Sequence, residues 1–384
     1  MKSLCRLFCK SQFLLLEFVQ EKFYQGNVMS LSFLKSKPQR KDHILAIDLG
    51  VRYTKAIHLQ RKGSVYQLAN FVLQDAPVYE KGLSVEVLGQ HIKTVATTLG
   101  MRTKQIVLVA GVGDSIVRDA ELPLSPVADL RAMIKLNSKN YLQQDLPDYI
   151  FDCFIQSMVE QRADAEKMPA KARVIVAGAK RQYVQDLQSA AKSAGLVAEH
   201  IFPSLLGPAN AFEISDPEAF GRDVVALVDL GFRHSTITVL MQGKVALFRV
   251  VGIGGDKLTS GIAETMGISY AEGEGIKVGM AEEVQSIMTP LLSPLGRELR
   301  ASVDFFEHQS DKAVGQVLIS GGAALSDFIL QTLQSDLMVP CKSWNPFASI
   351  GIAMSEDKAA ELAKIAPQFV VVAGAAVSAM PPAA

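Results

Sequence analysis

The sequence predicts a two-lobed α/β fold made of two similar halves, with a small α+β insertion in the first. Three observations lead there. One strand–turn–strand unit occurs twice, far apart in the chain. Glycine-bearing turns follow buried strands in a fixed order. The 384 residues, 49% of them apolar, suit two domains or one large two-lobed unit with ample core.

The first copy of the unit is Ile44 to Leu59, ILAIDLGVRYTKAIHL. It reads as an apolar strand, the polar turn Asp48-Leu49-Gly50, and a second strand. Asp48 falls where a buried strand ends, and Gly50 turns the chain without a Cβ in the way. The amides of Val51, Arg52, Tyr53 and Thr54 then line a concave nest suited to phosphate oxygens. Lys55 stands at its lip as a counter-charge. One such copy alone reads as an ordinary hairpin turn.

The second copy changes that reading. Leu227 to Leu240, LVDLGFRHSTITVL, repeats the first almost position for position. Asp229 matches Asp48, Gly231 matches Gly50, Arg233 matches Arg52, and Ser235, followed by Thr236, matches Thr54. A spacing this long excludes a solenoid and points to two α/β halves, each presenting one hairpin. Two facing hairpins can clasp one polyphosphate, with Asp48 and Asp229 near a Mg²⁺. That ion keeps most of its waters and binds mainly through phosphate, so the aspartates reach it through water.

After the first hairpin, Ser64 to Val72 continues a meander. Val85 to Leu99 has helical period and closes at Gly100, and Lys104 to Ala110 is a buried strand. The texture then changes. Val117 to Leu122 alternates, Pro123 and Pro126 interrupt, and Ala128 to Tyr141 is helical by period. Tyr149 to Gln156 is a strand and Gln161 to Ala172 a polar loop. Residues 117–171 therefore read as an insertion that binds a partner, and 43–116 with 172–214 as the first half. Within the latter, Arg173 to Gly178 returns to a buried strand. Gln182 to Ser193 is a helix stopped by Gly195, Ala198 to Pro203 a strand, and Gly207 to Ile214 a helix. Ser215 to Arg222 links to the second half, 215–384.

There the second hairpin and Val245 to Val250 lead into Gly252-Ile253-Gly254-Gly255-Asp256 and a helix, Lys257 to Met266. A glycine pair opening a helix offers free amides to an anion; it also serves as a plain strand-to-helix turn. Glu274 and Lys277 stand one helical turn apart, as site residues or as a solvated ion pair. Leu292 to His308 is a long amphipathic helix. Gln316 to Ser320 is a strand entering Gly321-Gly322-Ala323, where a flat ligand can approach the backbone, and Ser326 to Gln334 is a helix. Asn345-Pro346-Phe347 makes a turn, and Phe369 to Ala379 closes the chain as a buried helix.

Composition narrows the function. Lysine plus arginine and aspartate plus glutamate both number 39, so the net charge is zero. That argues against a nucleic-acid binder working through a strong positive field. Cys5, Cys9, Cys153 and Cys341 show no metal-ligand spacing with histidine and fit a reducing cytoplasm. In the first 23 residues the longest uncharged run, Ser11 to Leu16, is too short to span a bilayer. Residues 1–42 read as a disordered leader, or as sequence upstream of a start at Met29; an amphipathic surface helix is the other reading. Elsewhere no membrane span is expected.

Four glycine-bearing turns occur in order: Asp48-Leu49-Gly50, Asp229-Leu230-Gly231, Gly252-x-Gly254-Gly255 and Ser320-Gly321-Gly322. This order resembles the actin-like ATPase superfamily. Closer likeness is to the PilM family of type IV pilus assembly proteins, relatives of the division protein FtsA. It is carried by IDLGVRYTKAIHL, by the insertion from RDAELPL through LPDYIFDCFI, by VIVAGAKRQYV and VDLGFRHSTITVL, and by ELRASVDFFEHQ, LISGGAAL and the NPF turn. It covers Ile44 to Ser378.

The resemblance implies an actin-like (ribonuclease H-like) fold with an insertion of the FtsA/PilM type. It implies ATP and Mg²⁺ between the halves, with Gly321, Gly322 and Ala323 against the adenosine. It also implies a cytoplasmic scaffold that holds the cytoplasmic tail of a PilN-like inner-membrane protein and sits at the membrane through it. An FtsA-like polymerising anchor, which would add self-association, and a small-molecule kinase are the other readings. The chain departs from its relatives at Phe232-Arg233-His234, where they carry small residues. Bulk there crowds a γ-phosphate, and no acid stands ready to orient water, so hydrolysis is expected to be slow or absent.

Overall fold

The computed structural model describes residues 42–63, 65–78, 83–159, 170–280 and 283–380. The expected leader, through residue 41, and most of the expected loop at 161–172 lie outside the described residues. The chain opens with the meander β1 (His43–Leu49), β2 (Tyr53–Lys62) and β3 (Val65–Asp75), then α1 (Val85–Thr98) and β4 (Gln105–Ala110). β5 (Ser115–Pro123), α2 (Val127–Leu136), α3 (Ser138–Leu142), β6 (Tyr149–Met158) and β7 (Lys171–Lys180) follow. Next come α4 (Arg181–Ser193), β8 (Val197–Pro203), α5 (Gly207–Ser215) and α6 (Pro217–Arg222). A second meander is made of β9 (Val224–Leu230), β10 (Ser235–Met241) and β11 (Lys244–Val251). It leads to α7 (Gly255–Met266), α8 (Tyr270–Gly279), α9 (Gln285–Ser310), β12 (Gln316–Gly321) and α10 (Asp327–Leu337). The chain ends with β13 (Cys341–Ser343), β14 (Gly351–Ile352), α11 (Glu356–Ile365) and α12 (Val370–Ser378).

The duplication expected from the hairpins is a duplication of whole sheets. The first sheet runs β14-β3-β2-β1-β4-β8 and the second β11-β10-β9-β12-β13. Without β14 the two orders are the same. In each, the first two pairings of the meander are antiparallel and the strand bearing the aspartate pairs in parallel with the next. β1 explains why the sequence folds this way: Ile44 to Ile47 are all buried, as expected of a strand covered on both faces. Leu45 and Ile47 meet α1 and α4 on one side. Ile44 and Ala46 join the core that holds α5 and α12 on the other.

The structure corrects several boundaries. β7 pairs with β5 and β6 in a third, separate sheet of order β5-β7-β6. The boundary expected at 172 therefore falls inside a strand of the small sheet, whose strands span Ser115 to Lys180. The single helix expected over 128–141 is two, broken at Asn137 (φ −146°, ψ 51°). Leu130 and Ile134 are fully buried on the small sheet with Tyr141 packed beside them, so this face of the insertion is core. The linker at 215–222 contains α6, started by Pro217 and capped by Asp216, whose carboxylate accepts from Ala219 N. α9 starts at Gln285 rather than near 292, running through Pro290 and Pro294.

The C-terminal stretch, expected with the second half, returns to the first sheet. β14 pairs with β3, and α12 packs on β1, β2 and β4. It also crosses α5 so closely that a Cβ on Gly374 would lie 1.9 Å from Gly207 O. Among the described residues one helical run, Glu356–Ser378, is long and apolar enough to cross a membrane by length and composition. Here Val370 to Ala376 are buried in the core between the sheets.

Candidate functional site

The two hairpins share one backbone device. A Cβ on Gly50 would lie 2.5 Å from Tyr53 O, and a Cβ on Gly231 would lie 2.7 Å from His234 O. Each turn doubles back so tightly that any side chain would strike its own carbonyl three residues on. The register then sets which residue faces each aspartate: Lys55 stands opposite Asp48, and Thr236 opposite Asp229.

Lys55 Nζ donates to Asp48 Oδ2 at 3.0 Å, with the lysine side chain 19% and the aspartate 9% exposed. Burial lowers the lysine's proton affinity, but the Asp48 charge and hydrogen bond, aided by Asp229, outweigh it and hold the ammonium above the usual range. Asp229 Oδ1 accepts from Ser320 Oγ at 2.8 Å. Burial pushes the Asp229 carboxyl up. Ser320 and Lys55 pull it down, Asp48 adds to the rise, and the net shift is upward. Asp48, Lys55 and Asp229 thus feel one another across the junction of the halves.

The glycine pair behaves differently from the expectation. Gly255 N donates to Gly231 O and Asp256 N to Phe232 O, both at 2.9 Å. These opening amides of α7 are not free for an anion; they dock the helix on the second hairpin. A Cβ on Gly254 would lie 2.3 Å from Phe232 O, so that glycine is required by the docking itself. Asp256 Oδ1 accepts from the Tyr270 hydroxyl at 2.7 Å, and burial with this partner pushes the phenol up to about 12.

Two further corrections concern hydroxyls. Thr54 is fully buried and its Oγ1 lies 2.8 Å from His91 Nε2 on α1. Ser235 is fully buried and its Oγ donates to Ile253 O at 2.6 Å. Both side chains peg the hairpins to their surroundings instead of facing the cleft, because the register turns them to the opposite face of the sheet from Asp48 and Asp229. Thr236 is buried, while Val51 at the first turn is 55% exposed.

Glu274 and Lys277 are more than a solvated pair. Glu274 Oε2 accepts from Lys277 Nζ at 2.7 Å and from Thr259 Oγ1, and Lys277 also reaches Thr259 Oγ1 at 2.7 Å. Burial raises the Glu274 carboxyl, but these donors outweigh it and the net shift is downward. Arg52, stacked 5.4 Å over the Tyr53 ring, is held above its ordinary value chiefly by Tyr53, with Glu274 and Tyr270 adding. The first hairpin therefore faces α8 across the cleft.

At the end of β12 the two glycines part company. Gly321 has φ +90°, and its Cβ would lie 2.2 Å from Leu230 O. Gly322 is exposed and a Cβ there would meet nothing within 4 Å, with Ala323 half-buried beside it. Ser320, Thr259 and Tyr270 were missed as site residues. Ser320 opens the Ser-Gly-Gly turn and Thr259 follows Gly255 by one helical turn, both signals present in the sequence. Among the described residues no cluster of three or more His, Cys, Asp or Glu could hold a metal ion directly. Hollows lined by no hairpin residue include one of about 530 Å³ beside Pro77, Glu86, Val87 and His91, and one of about 510 Å³ between Asp145–Tyr149 and Lys180–Gln185.

Two sheets of one order, each presenting an Asp-Leu-Gly hairpin to a common cleft, define an actin-like fold. The model of the family described as type IV pilus assembly protein PilM matches residues 46–380, and the chain belongs to that family. Among solved structures, the PilM-PilN type IV pilus biogenesis complex is similar over 90% of this chain and 100% of that one, with a TM-score of 0.76 and 20% identity. The ethanolamine utilization protein EutJ from Carboxydothermus hydrogenoformans is similar over 89% and 91%, with a TM-score of 0.53 and 13% identity. At these identities the likeness is one of fold.

Proposed function

We propose that this chain is an ATP-binding scaffold of a type IV pilus inner-membrane assembly complex. It holds the cytoplasmic tail of a PilN-like membrane protein and stays on the cytoplasmic side of the membrane through that contact. The observation that carries the reading is the Asp48–Lys55–Asp229 group where the two hairpins meet. The donor set fits Mg-ATP in part. Lys55 supplies a cation for phosphate, and two aspartates without a third ligand suit an ion held through water and phosphate. Glu274 and Lys277 present a polar edge, and the open face of Gly322 leaves room for a flat base. Thr54, Ser235 and the first amides of α7 belong to the scaffold of the cleft.

The magnesium, when bound, neutralises phosphate charge. The chain's own residues bind and orient the nucleotide and join the halves around it. Turnover is expected to be slow: Asp48 is neutralised by Lys55, Asp256 is tied to Tyr270, and neither is placed to orient water. ATP then acts mainly as a structural ligand that favours the closed form by mass action. For the tail, the hollow between Asp145–Tyr149 and Lys180–Gln185 offers a groove where the small sheet meets the first half, with carboxylates on one wall and Lys180 and Arg181 on the other.

Calorimetry with Mg-ATP on the full chain tests the core of this. Asp229→Ala should weaken binding at least tenfold, about 1.4 kcal/mol, with wild-type turnover below about 1 per second. Unchanged affinity in that variant, or fast turnover, contradicts the reading.

A further inference from the structure

The small sheet touches both halves. Its β6 strand carries a β-bulge: Ile155 pairs with Val174 and Ser157 with Arg173, leaving Gln156 outside the ladder. A bulge re-aims the side chain of its extra residue. Here the Gln156 amide is turned onto β11, the edge strand of the second sheet. Gln156 Nε2 donates to Val245 O and Val245 N donates to Gln156 Oε1, both at 2.9 Å. The side chain thus pairs with both ladder groups of Val245, as a neighbouring strand would. One register position away, Arg173 donates to Ala246 O at 3.3 Å, and its Nε donates to Asp119 Oδ2 at 2.6 Å, which fixes the guanidinium.

The same two strands have their other ends at the groove. Tyr149 opens β6 and Lys180 closes β7, the two are paired, and both line the 510 Å³ hollow. From Tyr149 to Gln156 is about 23 Å at the rise of a strand. β6 and β7 therefore form a stiff antiparallel pair, with the second half held at one end and the groove at the other.

We propose that Gln156 and Arg173 are positioning residues of a latch. Through it the small sheet follows the second half, so that nucleotide-driven closure of the cleft reshapes the groove. The proposal rests on the reading that ATP binds between the halves. Coupling of this kind is reciprocal, so an occupied groove tightens the cleft by the same factor.

Hydrogen exchange on the full chain, with and without the magnesium complex of the non-hydrolysable analogue AMPPNP, tests it. In the wild type, the hairpins 44–59 and 227–240 should gain protection and the groove segments 145–149 and 180–185 should change rate at least threefold. Gln156→Ala should keep the hairpin response and lose most of the groove response. Arg173→Lys keeps the charge but cannot bridge Asp119 and Ala246 together, and should reduce the groove response with little risk to folding. A groove response of wild-type size in both variants overturns the latch and leaves nucleotide binding standing. Unprotected hairpins in the wild type overturn nucleotide binding, and the latch with it.

Discussion

The two hairpins have one backbone and two electrostatic characters. Asp48 is flanked by Lys55 across the antiparallel pair and by Val109 across the parallel one; Asp229 is flanked by Thr236 and Ser320. The first aspartate has an ammonium on it. The second has a hydroxyl, and its carboxyl is pushed toward the protonated form. The two hairpins share the glycine that each turn requires and differ in the neighbours of the aspartate. One lysine of the first half thus acts on the aspartates of both halves.

The comparison can be broken hardest at the glycines of β12. Gly321→Ala adds a Cβ at φ +90° against the Leu230 carbonyl, and should lower stability by about 3 kcal/mol in chemical denaturation. Gly322→Ala, one residue on and in open space, should stay within about 0.5 kcal/mol of wild type. Its effect should appear in ATP affinity. Equal stability losses at the two positions would show that β12 does not meet β9 as described.

Less severe is removal of the shared lysine. Lys55→Ala leaves two carboxylates facing one another and should cost about 2 kcal/mol, below the range for fully buried pairs because both side chains keep some exposure. Thr236→Ala, at the same register position of the other hairpin, should cost no more than about 1 kcal/mol. Thermal denaturation of the pair reads the difference; equal losses would mean that Lys55 acts through packing alone.

The smallest effect concerns Asp229. Its folded proton affinity is raised, so the wild type loses stability as pH rises from the unfolded carboxyl value through the folded one. Asp229→Asn removes that loss. It should melt at a higher temperature than wild type near neutral pH, with the gain shrinking as the solution is acidified. A gain independent of pH would assign it to something other than the carboxyl charge.

Much of this was legible in the sequence. The hairpins, the order of glycine turns and the family follow from residues that recur at fixed offsets, and such offsets survive any packing. Misreadings arose where the partner is distant in the chain. Thr54 and Ser235 sit at hydroxyl positions beside a phosphate-type turn, but His91 and Ile253 hold them, 37 and 18 residues away. The amides of Gly255 and Asp256 open a helix as an anion site does, yet the second hairpin's own carbonyls occupy them. β7 reads as a generic buried strand, and its sheet is set by its pairing with β5 and β6. The return of the C-terminus depends on two glycines, Gly207 and Gly374, that meet only in the folded chain.

The central claim, that both hairpins hold a single nucleotide, is tested most directly by the stoichiometry of Mg-ATP binding in wild type, Asp48→Ala and Asp229→Ala. One molecule per chain in the wild type is expected, with both variants weakening that same site at least tenfold, about 1.4 kcal/mol each. Two molecules per chain, or one variant binding as tightly as wild type, would mean that the hairpins do not share a ligand.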